Sequence, residues 1–435
     1  MFDAHRQNNP ALIHAETLLA SGDIAAASDT LNSLRAIAPN DPRIYSVLAQ
    51  LAFVSRNPTA ALQAANHALS LATGWPRALM QRARALEQLG ELEQCLRACE
   101  AAFLADSRLL SAVELAVNVG RRLGNTAVPE ALLRTAHQND PLNASIWLGL
   151  GRFLSRYKRD EAIAWLQKVL EQEPNSKDAL VTLAMLRFDE GDRKQARALI
   201  EHAEKVAPTD EVIRFQSERI RGVLDVQMPA TLVRTLFDEY ADRFDHALVD
   251  KLSYKLPTIV ADRVRARYPE LELNVLDLGC GTGLFGAALG KVTGSLVGVD
   301  LSDKMLQHAA RRGVYSRLYA VDVVEALRQS LDGSYHVVVA TDVLVYVADM
   351  RPFVKESFRV LQRDSLLIFS CELAAAGEPV VVLRETQRYA HRKDWAASLC
   401  EEAGFAHIQI EDIVVRQESG KPVRGFFVTA SKGQP

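Results

Sequence analysis

Three glycines alternate with other residues directly after an apolar segment of this chain. Residues 275–283 are VLDLGCGTG, and residues 284–289 continue as a predicted helix. Glycine has no Cβ, so the backbone at Gly279, Gly281 and Gly283 can turn sharply and approach a ligand closely. A second apolar segment ends in Asp300, whose carboxylate suits the two hydroxyls of a ribose. The pattern predicts a site for a nucleoside-containing cofactor.

The spacing of the glycines argues against a nicotinamide dinucleotide. The dinucleotide fingerprint is G-x-G-x-x-G, and the helix after it holds a pyrophosphate. Here the spacing is G-x-G-x-G, and Asp277 stands just ahead of the first glycine. A buried carboxylate there would repel a pyrophosphate but could accept an ammonium group. These residues resemble the first motif of the class I S-adenosylmethionine-dependent methyltransferases, which implies S-adenosyl-L-methionine as the cofactor.

The resemblance also implies a role for each residue around the loop. The three glycines would cradle the methionine part, and Asp277 would meet its ammonium group, directly or through water. Asp300 would accept hydrogen bonds from both ribose hydroxyls. The other implied cofactor contacts are Leu301, Met305 (on the adenine), Asp322 and Val323 (at the adenine edge), Asp342 (on the methionine and acceptor side) and Tyr240 (in a covering segment).

Three residues are candidates for assisting the chemical step: His391, Tyr389 and Tyr346. Methyl transfer is an in-line displacement at an activated sulfonium, so the protein mainly orients the nucleophile and removes its proton where needed. A histidine titrates near neutral pH, and His391 could act as the base. Capping a helix or satisfying a loop would explain His391 equally well, and Tyr346 could be a core residue. We expect no metal.

The elements that position these residues alternate between strand and helix. This alternation predicts a doubly wound, Rossmann-like α/β domain whose ligands bind at the C-terminal ends of parallel strands. The resemblance implies seven strands that end in a hairpin. Besides the two strands above, the predicted strands are residues 319–322, 335–341, 366–370, 407–415 and 426–431, and the predicted helices are residues 304–312, 351–361 and 395–403.

The first half of the chain repeats with a period of about 34 residues. One turn position is occupied in succession by Gly22, Arg56, Gly90, Gly124, Tyr157 and Gly191. A small residue follows the turn in most units, Pro129 replaces it in the fourth, and proline often ends the second helix. The pattern resembles six tetratricopeptide (TPR) repeats over residues 8–210 plus a capping helix, which implies an all-α superhelix.

We therefore expect two domains, a TPR domain over residues 1–225 and a methyltransferase domain over residues 226–435. By the resemblance, the groove of the repeats presents Arg77, Arg84, Glu114, Asn118, Arg121 and Arg122. Arg84, Arg121 and Arg122 are candidates for binding an acidic protein partner or a substrate carrier. Alternatively, the repeats only solubilise the enzyme or form a homo-oligomer.

Residues 232–245 form an amphipathic segment with Leu236, Tyr240 and Phe244 on one face. A plain core stripe would explain this spacing. In methyltransferases of this type a similar segment closes over the cofactor, so the resemblance implies a lid. Together with the tail segments 388–391 and 416–425, it makes nearly the whole chain similar to bacterial proteins that fuse TPR repeats to a class I methyltransferase.

Composition narrows the class of protein. Lys plus Arg total 51 against 54 for Asp plus Glu, a net charge of -3, which disfavours nucleic-acid binding. The five cysteines have neither disulfide nor zinc spacing. We find no apolar run of about 18 residues and a polar start unlike a signal peptide, so we expect a cytoplasmic protein without a membrane span.

Two functions remain open at this point. One is methyl transfer to an O or N nucleophile of a small-molecule or carrier-tethered acceptor, with the TPR domain recruiting the carrier or a partner. The other is a protein methyltransferase whose TPR domain grips its target. A weaker third reading is a regulatory scaffold with a vestigial cofactor domain, which the intact Asp277, glycines and Asp300 oppose.

Overall fold

The computed structural model of the protein describes residues 9–244, 255–418 and 421–433. The chain divides into two compact units, Met1–Leu186 and Arg187–Pro435. This boundary falls earlier than the expected division after residue 225. The difference arises because Phe215 packs with Met228, Val233 and Tyr389 in one apolar cluster of the second unit. The helices just before residue 225 therefore belong with that unit.

Helical hairpins build the first unit. Its helices are α1 (Pro10–Ser21), α2 (Ile24–Ile37), α3 (Pro42–Val54), α4 (Pro58–Leu71), α5 (Pro76–Leu89), α6 (Leu92–Ala105), α7 (Leu110–Leu123), α8 (Ala127–Asn139), α9 (Ala144–Leu154), α10 (Arg159–Gln172) and α11 (Lys177–Asp189), which ends past the boundary. Gly22, Gly90 and Gly124 end the first helix of their hairpins in the left-handed conformation. Arg56 adopts the same conformation at φ 54°. The helix pairs follow the predicted period.

The packing of the hairpins explains why proline is accepted in the fourth unit. Ala27 and Ala61, the small residues after the first two turns, are fully buried between helices. Pro129 occupies the equivalent place and is also buried. Its ring fits because Gly120 on α7 lacks a side chain, since a Cβ there would overlap the ring. The missing side chain of Gly120 therefore leaves the space that the ring of Pro129 occupies.

The second unit continues with helices and adds a sheet. Its helices are α12 (Arg193–Val206), α13 (Glu211–Arg221), α14 (Ala230–Tyr240), α15 (Leu256–Arg267), α16 (Leu284–Leu289), α17 (Asp303–Arg311), α18 (Val323–Gln329), α19 (Arg351–Val360) and α20 (Lys393–Ala403). Its strands are β1 (Asn274–Leu278), β2 (Ser295–Asp300), β3 (Arg317–Ala320), β4 (Tyr335–Ala340), β5 (Leu361–Leu373), β6 (Val381–Leu383), β7 (Tyr389–His391), β8 (Ala406–Glu418) and β9 (Lys421–Lys432). Within the described ranges, no helix combines the length and apolarity needed to cross a bilayer.

The nine strands form one mixed sheet in the described part of the unit. The order is β3-β2-β1-β4-β5-β7-β6, and β9 pairs antiparallel with both β5 and β8. Strands β1 to β5 run parallel, as the alternation predicted. The two strands beyond the expected seven are β6 and β7, which form a hairpin of three residues each between β5 and α20. Strands this short leave no clear periodic signal in a sequence.

Two apolar layers cover the sheet. Phe426 packs on one side with Phe353 and Phe369, whereas the next residue, Phe427, packs on the other side with Val260. Successive residues of a strand point to opposite faces, so both faces of the sheet are buried. The C-terminal ends of β1, β2 and β4 lie at one edge of the sheet, where ligands bind in folds of this class.

Candidate active site

The glycine loop follows β1 directly. Gly279, Gly281 and Gly283 have φ of 66°, 54° and 83°, a region that side-chain-bearing residues rarely adopt. A Cβ on Gly279 would overlap Val343, so no side chain fits there. A Cβ on Gly281 would instead lie 3.6 Å from the ring of Phe244. Gly279 and Gly281 both line the main pocket of the second unit.

The side chain of Tyr315 occupies the space beside the next two glycines, Gly283 and Gly286. The sequence did not predict this role of Tyr315. Its hydroxyl donates to Asp277 Oδ2 at 2.6 Å and accepts the Gly286 N–H at 3.3 Å. Cβ atoms on Gly283 and Gly286 would lie 2.9 and 2.6 Å from its ring. Gly283 therefore makes room for Tyr315 at the start of α16 and does not line the pocket, contrary to its expected contact with methionine.

Two buried carboxylates stand at the ends of β1 and β2. Burial raises the pKa of Asp277 to about 7, the hydrogen bond from Tyr315 opposes this, and the charge of Asp300 adds to it. Burial likewise raises the pKa of Asp300 to about 6, against hydrogen bonds from the Ser302 and Gly281 amides. These amides donate at 2.8 and 3.0 Å. Both carboxylates are poised for a ligand that brings hydrogen-bond donors or positive charge.

The pocket gathers most of the expected cofactor residues at the sheet edge. Asp322 is also the N-cap of α18, where its Oδ1 accepts the Val324 N–H at 2.9 Å. The expected residues that line the pocket are Asp277, Gly279, Gly281, Asp300, Leu301, Asp322, Val323, Asp342 and Tyr346. Met305 does not belong to this set, because its side chain is fully buried beneath the start of α17. The structure thus places Met305 away from the pocket wall, and its contact with the adenine stays a prediction.

Helix α14 and the turn after it cover the pocket with aromatic residues. Phe237 and Phe244 line the pocket, and Phe237 packs edge-on against Tyr346 with ring centroids 5.2 Å apart. Tyr240, the residue expected to contact the cofactor, is 42% exposed and does not line the pocket. The segment contains the predicted helix, but the residues that line the pocket are Phe237 and Phe244, about one turn before and one turn after Tyr240. Residue 245, the end of the expected lid, lies outside the described residues.

Three polar contacts fasten this covering segment to the cofactor side of the pocket. Ser302 Oγ donates to Asp238 at 2.5 Å. Arg234 Nε donates to the Leu301 carbonyl at 3.0 Å, and Asp242 lies 3.2 Å from His308 Nε2. The covering segment therefore rests on the residues that follow Asp300.

The structure places two of the three catalytic candidates away from the pocket. His391 is fully buried on β7, its Nε2 lies 3.0 Å from the Val347 carbonyl, and its ring stacks on Trp395. Burial lowers its pKa to about 4, so it is neutral at pH 7. Tyr389 is also fully buried and donates to the Val226 carbonyl. Neither residue lines the pocket, because the unexpected hairpin packs both side chains into the core.

The acceptor side of the pocket combines the expected residues Tyr346 and Asp342 with two arginines for which the sequence analysis predicted no role. Arg388, at the start of β7, donates through Nε to the Tyr346 hydroxyl at 3.1 Å and lines the pocket. Asp342 has a left-handed φ of 57°, a strained conformation that often marks functional sites. Arg416 Nη1 lies 3.6 Å from the Asp342 carboxylate. Long-range pairing brings these residues together, so only the fold could reveal them.

The expected basic groove of the first unit is only partly present. Arg122 is buried and forms an ion pair with Glu87, so it cannot bind a partner there. Arg121 lines a groove together with Glu114, Asn118 and Arg152. Arg84 is exposed on α5, and Arg77 pairs with Glu16 at 2.9 Å. The groove therefore has mixed charge.

Comparison with known protein families gives matches in the sheet-containing part of the chain and in the helical repeats. Residues 276–369 match the methyltransferase domain family, and residues 2–51 and 153–216 match the tetratricopeptide repeat family. The first match spans the glycine loop, Asp300, Asp342 and the strands that carry them. The second unit therefore contains an S-adenosylmethionine-dependent methyltransferase domain. The protein is an S-adenosylmethionine-dependent methyltransferase that carries TPR repeats.

Individual proteins similar to this chain include methyltransferases and a TPR protein. The ubiquinone biosynthesis O-methyltransferase of Xanthomonas oryzae pv. oryzae is 26% identical over 173 residues, which cover 37% of this chain and 72% of the relative. A solved structure of magnesium protoporphyrin IX methyltransferase from Synechocystis PCC 6803 with bound SAH is 20% identical in sequence and has a TM-score of 0.37. The match covers 47% of this chain and 99% of the Synechocystis chain. The TPR protein YrrB is 17% identical at a TM-score of 0.37, covering 43% and 97%.

Proposed function

We propose that the protein transfers a methyl group to an oxygen of a small-molecule acceptor. The observation that carries this proposal is the shape of the pocket, which runs from the glycine loop to Tyr346 and is covered by Phe237 and Phe244. A covered pocket suits a small acceptor better than the side chain of a folded protein. The name of the Xanthomonas relative, an O-methyltransferase, supports oxygen rather than nitrogen as the nucleophile.

The residues present fit the cofactor through the chemistry of their donors and acceptors. Asp300 offers carboxylate oxygens for two ribose hydroxyls, and Asp277 offers a negative charge for an ammonium group. Gly281 leaves the pocket wall without a side chain beside them. When bound, S-adenosylmethionine would supply the electrophilic methyl group. The protein's own part is to orient the acceptor, exclude water with Phe237 and Phe244, and hold Tyr346 as a polar contact.

Tyr346 fits the role of a hydrogen-bond donor to the acceptor better than that of a base. Burial raises the pKa of its phenol, although Arg388 opposes this, so the phenol keeps its proton at neutral pH. Its oxygen accepts from Arg388, which leaves the proton to be donated into the pocket. The structure thus supports positioning rather than proton removal as the task of Tyr346.

We propose further that the TPR unit recruits a partner protein or a carrier of the acceptor. TPR arrays bury their apolar sides between neighbours and present grooves for binding. The groove around Arg121 joins apolar residues, such as Leu110 and Val113, to the charged side chains of Glu114 and Arg152. A mixed surface of this kind suits a peptide segment with both apolar and charged residues.

Methyl transfer can be tested with the purified full chain and methyl-labelled S-adenosylmethionine in a bacterial extract separated by size. We expect the label in an organic-soluble small-molecule fraction and, at a cofactor concentration near the wild-type Kd, much less of it with the Asp300→Ala variant, whereas Asp303→Ala, which removes an exposed carboxylate nearby, should act like the wild type. Label confined to protein would instead assign the enzyme to protein methylation. Absence of label from both fractions would contradict the proposed activity.

A further inference from the structure

The acceptor side of the pocket contains an arginine that has no carboxylate within ion-pair distance among the described residues. Arg388 lies at the end of the connection between β6 and β7 and lines the pocket beside Tyr346, Val347 and Gln227. Within the described residues, its side chain makes one hydrogen bond, the 3.1 Å contact from Nε to the Tyr346 hydroxyl, and its guanidinium lies 5.9 Å from the centre of that ring. The Nη groups therefore remain available for a ligand in the pocket.

Burial lowers the pKa of Arg388, but the Tyr346 phenol and the charges of Asp342 and Glu372 outweigh it and raise the pKa, although neither carboxylate forms an ion pair with Arg388. Glu372 forms an ion pair with Arg416 at 2.5 Å, and Asp342 lies 3.6 Å from the same guanidinium. Among the described residues, no carboxylate lies within ion-pair distance of Arg388 itself. A buried charge is normally paired, because removing it from water is costly. A guanidinium that lines a cavity without a direct carboxylate partner is therefore suited to an anionic ligand that enters the cavity.

The position in the sheet separates Arg388 from the cofactor residues. Asp277 stands on β1, whereas Arg388 precedes β7, and β4 and β5 lie between these strands. Three strand spacings of about 4.8 Å place them roughly 14 Å apart across the edge. Arg388 also comes from the hairpin inserted between β5 and α20, not from the glycine loop. The guanidinium thus belongs to the side of the pocket on which the acceptor must enter.

We infer that Arg388 and Tyr346 form an anion subsite and that the acceptor is a small molecule carrying a carboxylate. The guanidinium offers parallel N–H donors that match the two oxygens of a carboxylate, and the phenol offers its free proton to one of them. The anion is an anchor, and a separate hydroxyl of the same molecule receives the methyl group. The inference rests on the proposed methylation of a small molecule, and it names the class of that molecule.

Binding of benzoate and benzamide tests the subsite, because the two probes have the same shape and differ in charge. The full chain saturated with S-adenosylhomocysteine is titrated with each probe by calorimetry or ligand-observed NMR. The aromatic walls at Phe237 and Tyr346 suit a benzene ring. We expect benzoate to bind about 10- to 100-fold more tightly than benzamide, the range expected for hydrogen bonds to a charged group.

The variant Arg388→Gln should remove this difference between the probes, and Tyr346→Phe should reduce it. The matched control is Arg351→Gln, which changes an exposed arginine of α19 that pairs with Asp349 and lies outside the pocket. All variants should keep wild-type affinity for S-adenosylhomocysteine, which also shows that they are folded.

Three results would overturn the inference: equal affinity for benzoate and benzamide, no detectable binding of benzoate, or an unchanged preference for benzoate in Arg388→Gln. A loss of S-adenosylhomocysteine affinity in folded Arg388→Gln would overturn it as well, because Arg388 would then hold the carboxylate of the cofactor. Failure of the subsite leaves label transfer to small molecules intact, whereas failure of the proposed function abolishes that transfer. The two failures are therefore distinguishable.

Discussion

Replacing Asp300 by alanine should weaken cofactor binding without unfolding the protein. The carboxylate is 8% exposed and accepts the backbone amides of Gly281 and Ser302 at 3.0 and 2.8 Å. Each hydrogen bond from a ribose hydroxyl to a charged acceptor contributes about 1.5–3 kcal/mol. Part of this gain is spent on ionising a carboxyl group whose pKa burial raises to about 6. The net loss should be about 2 to 3 kcal/mol, or roughly 30- to 150-fold in affinity.

Calorimetric titration with S-adenosylhomocysteine at neutral pH measures this loss. Asp300→Asn should fall between alanine and the wild type, because the amide keeps one oxygen for the backbone amides and loses the charge. Asp303→Ala is the control, since Asp303 is exposed at the start of α17 and does not line the pocket. Wild-type affinity in folded Asp300→Ala would refute the assignment of Asp300 to the ribose. A drop in affinity that only follows a drop in thermal stability would refute the mechanism.

Four further outcomes are expected from the same geometry. Tyr315→Phe removes the hydroxyl that donates to Asp277 at 2.6 Å, so S-adenosylhomocysteine should bind about tenfold more weakly by calorimetry; unchanged affinity would contradict this. His391→Ala should lower the free energy of unfolding by about 2 to 4 kcal/mol, because it leaves a buried cavity, yet methyl transfer per folded molecule should stay intact. A selective loss of turnover would support His391 as the catalytic base. Amide hydrogen exchange in α14 should slow when S-adenosylhomocysteine is added, whereas equal exchange would make α14 ordinary packing. Because burial raises the pKa of Asp277 to about 7 and a cationic ligand favours its ionised form, binding at pH 6 should release protons; calorimetric enthalpies that are equal in buffers of different ionisation heat would exclude this linkage.

The parts of the site that are local in sequence could be predicted. The glycine loop, Asp277 and Asp300 lie at the ends of two apolar strands, and parallel strands place those ends at one edge. The TPR helices could be predicted for the same reason, because each repeat specifies its own hairpin. Gly283 was misassigned even so, because spacing alone does not show whether a glycine faces a ligand or makes room for a ring.

The parts that depend on distant pairing could not be predicted. Tyr315 lies 38 residues from Asp277, and nothing in its own surroundings marks it as a partner. Arg388 and His391 sit in a hairpin with strands of three residues, too short for an alternating pattern to show which side chains face inward. The burial of His391 and the place of Arg388 in the pocket therefore became visible only in the fold.

Ser302 connects the cofactor carboxylate to the covering segment. Its backbone amide donates to Asp300 Oδ1 at 2.8 Å, and its hydroxyl donates to Asp238 on α14 at 2.5 Å. The same hydroxyl accepts the Met305 amide at 3.1 Å and so caps α17. A ligand that draws Asp300 toward its ribose acts on the residue that holds the cover, because one serine bonds to both carboxylates. Because Ser302 contacts Asp300 through its backbone amide and Asp238 through its hydroxyl, we expect occupation of the ribose site to favour packing of α14 over the pocket, which slower hydrogen exchange in α14 would show.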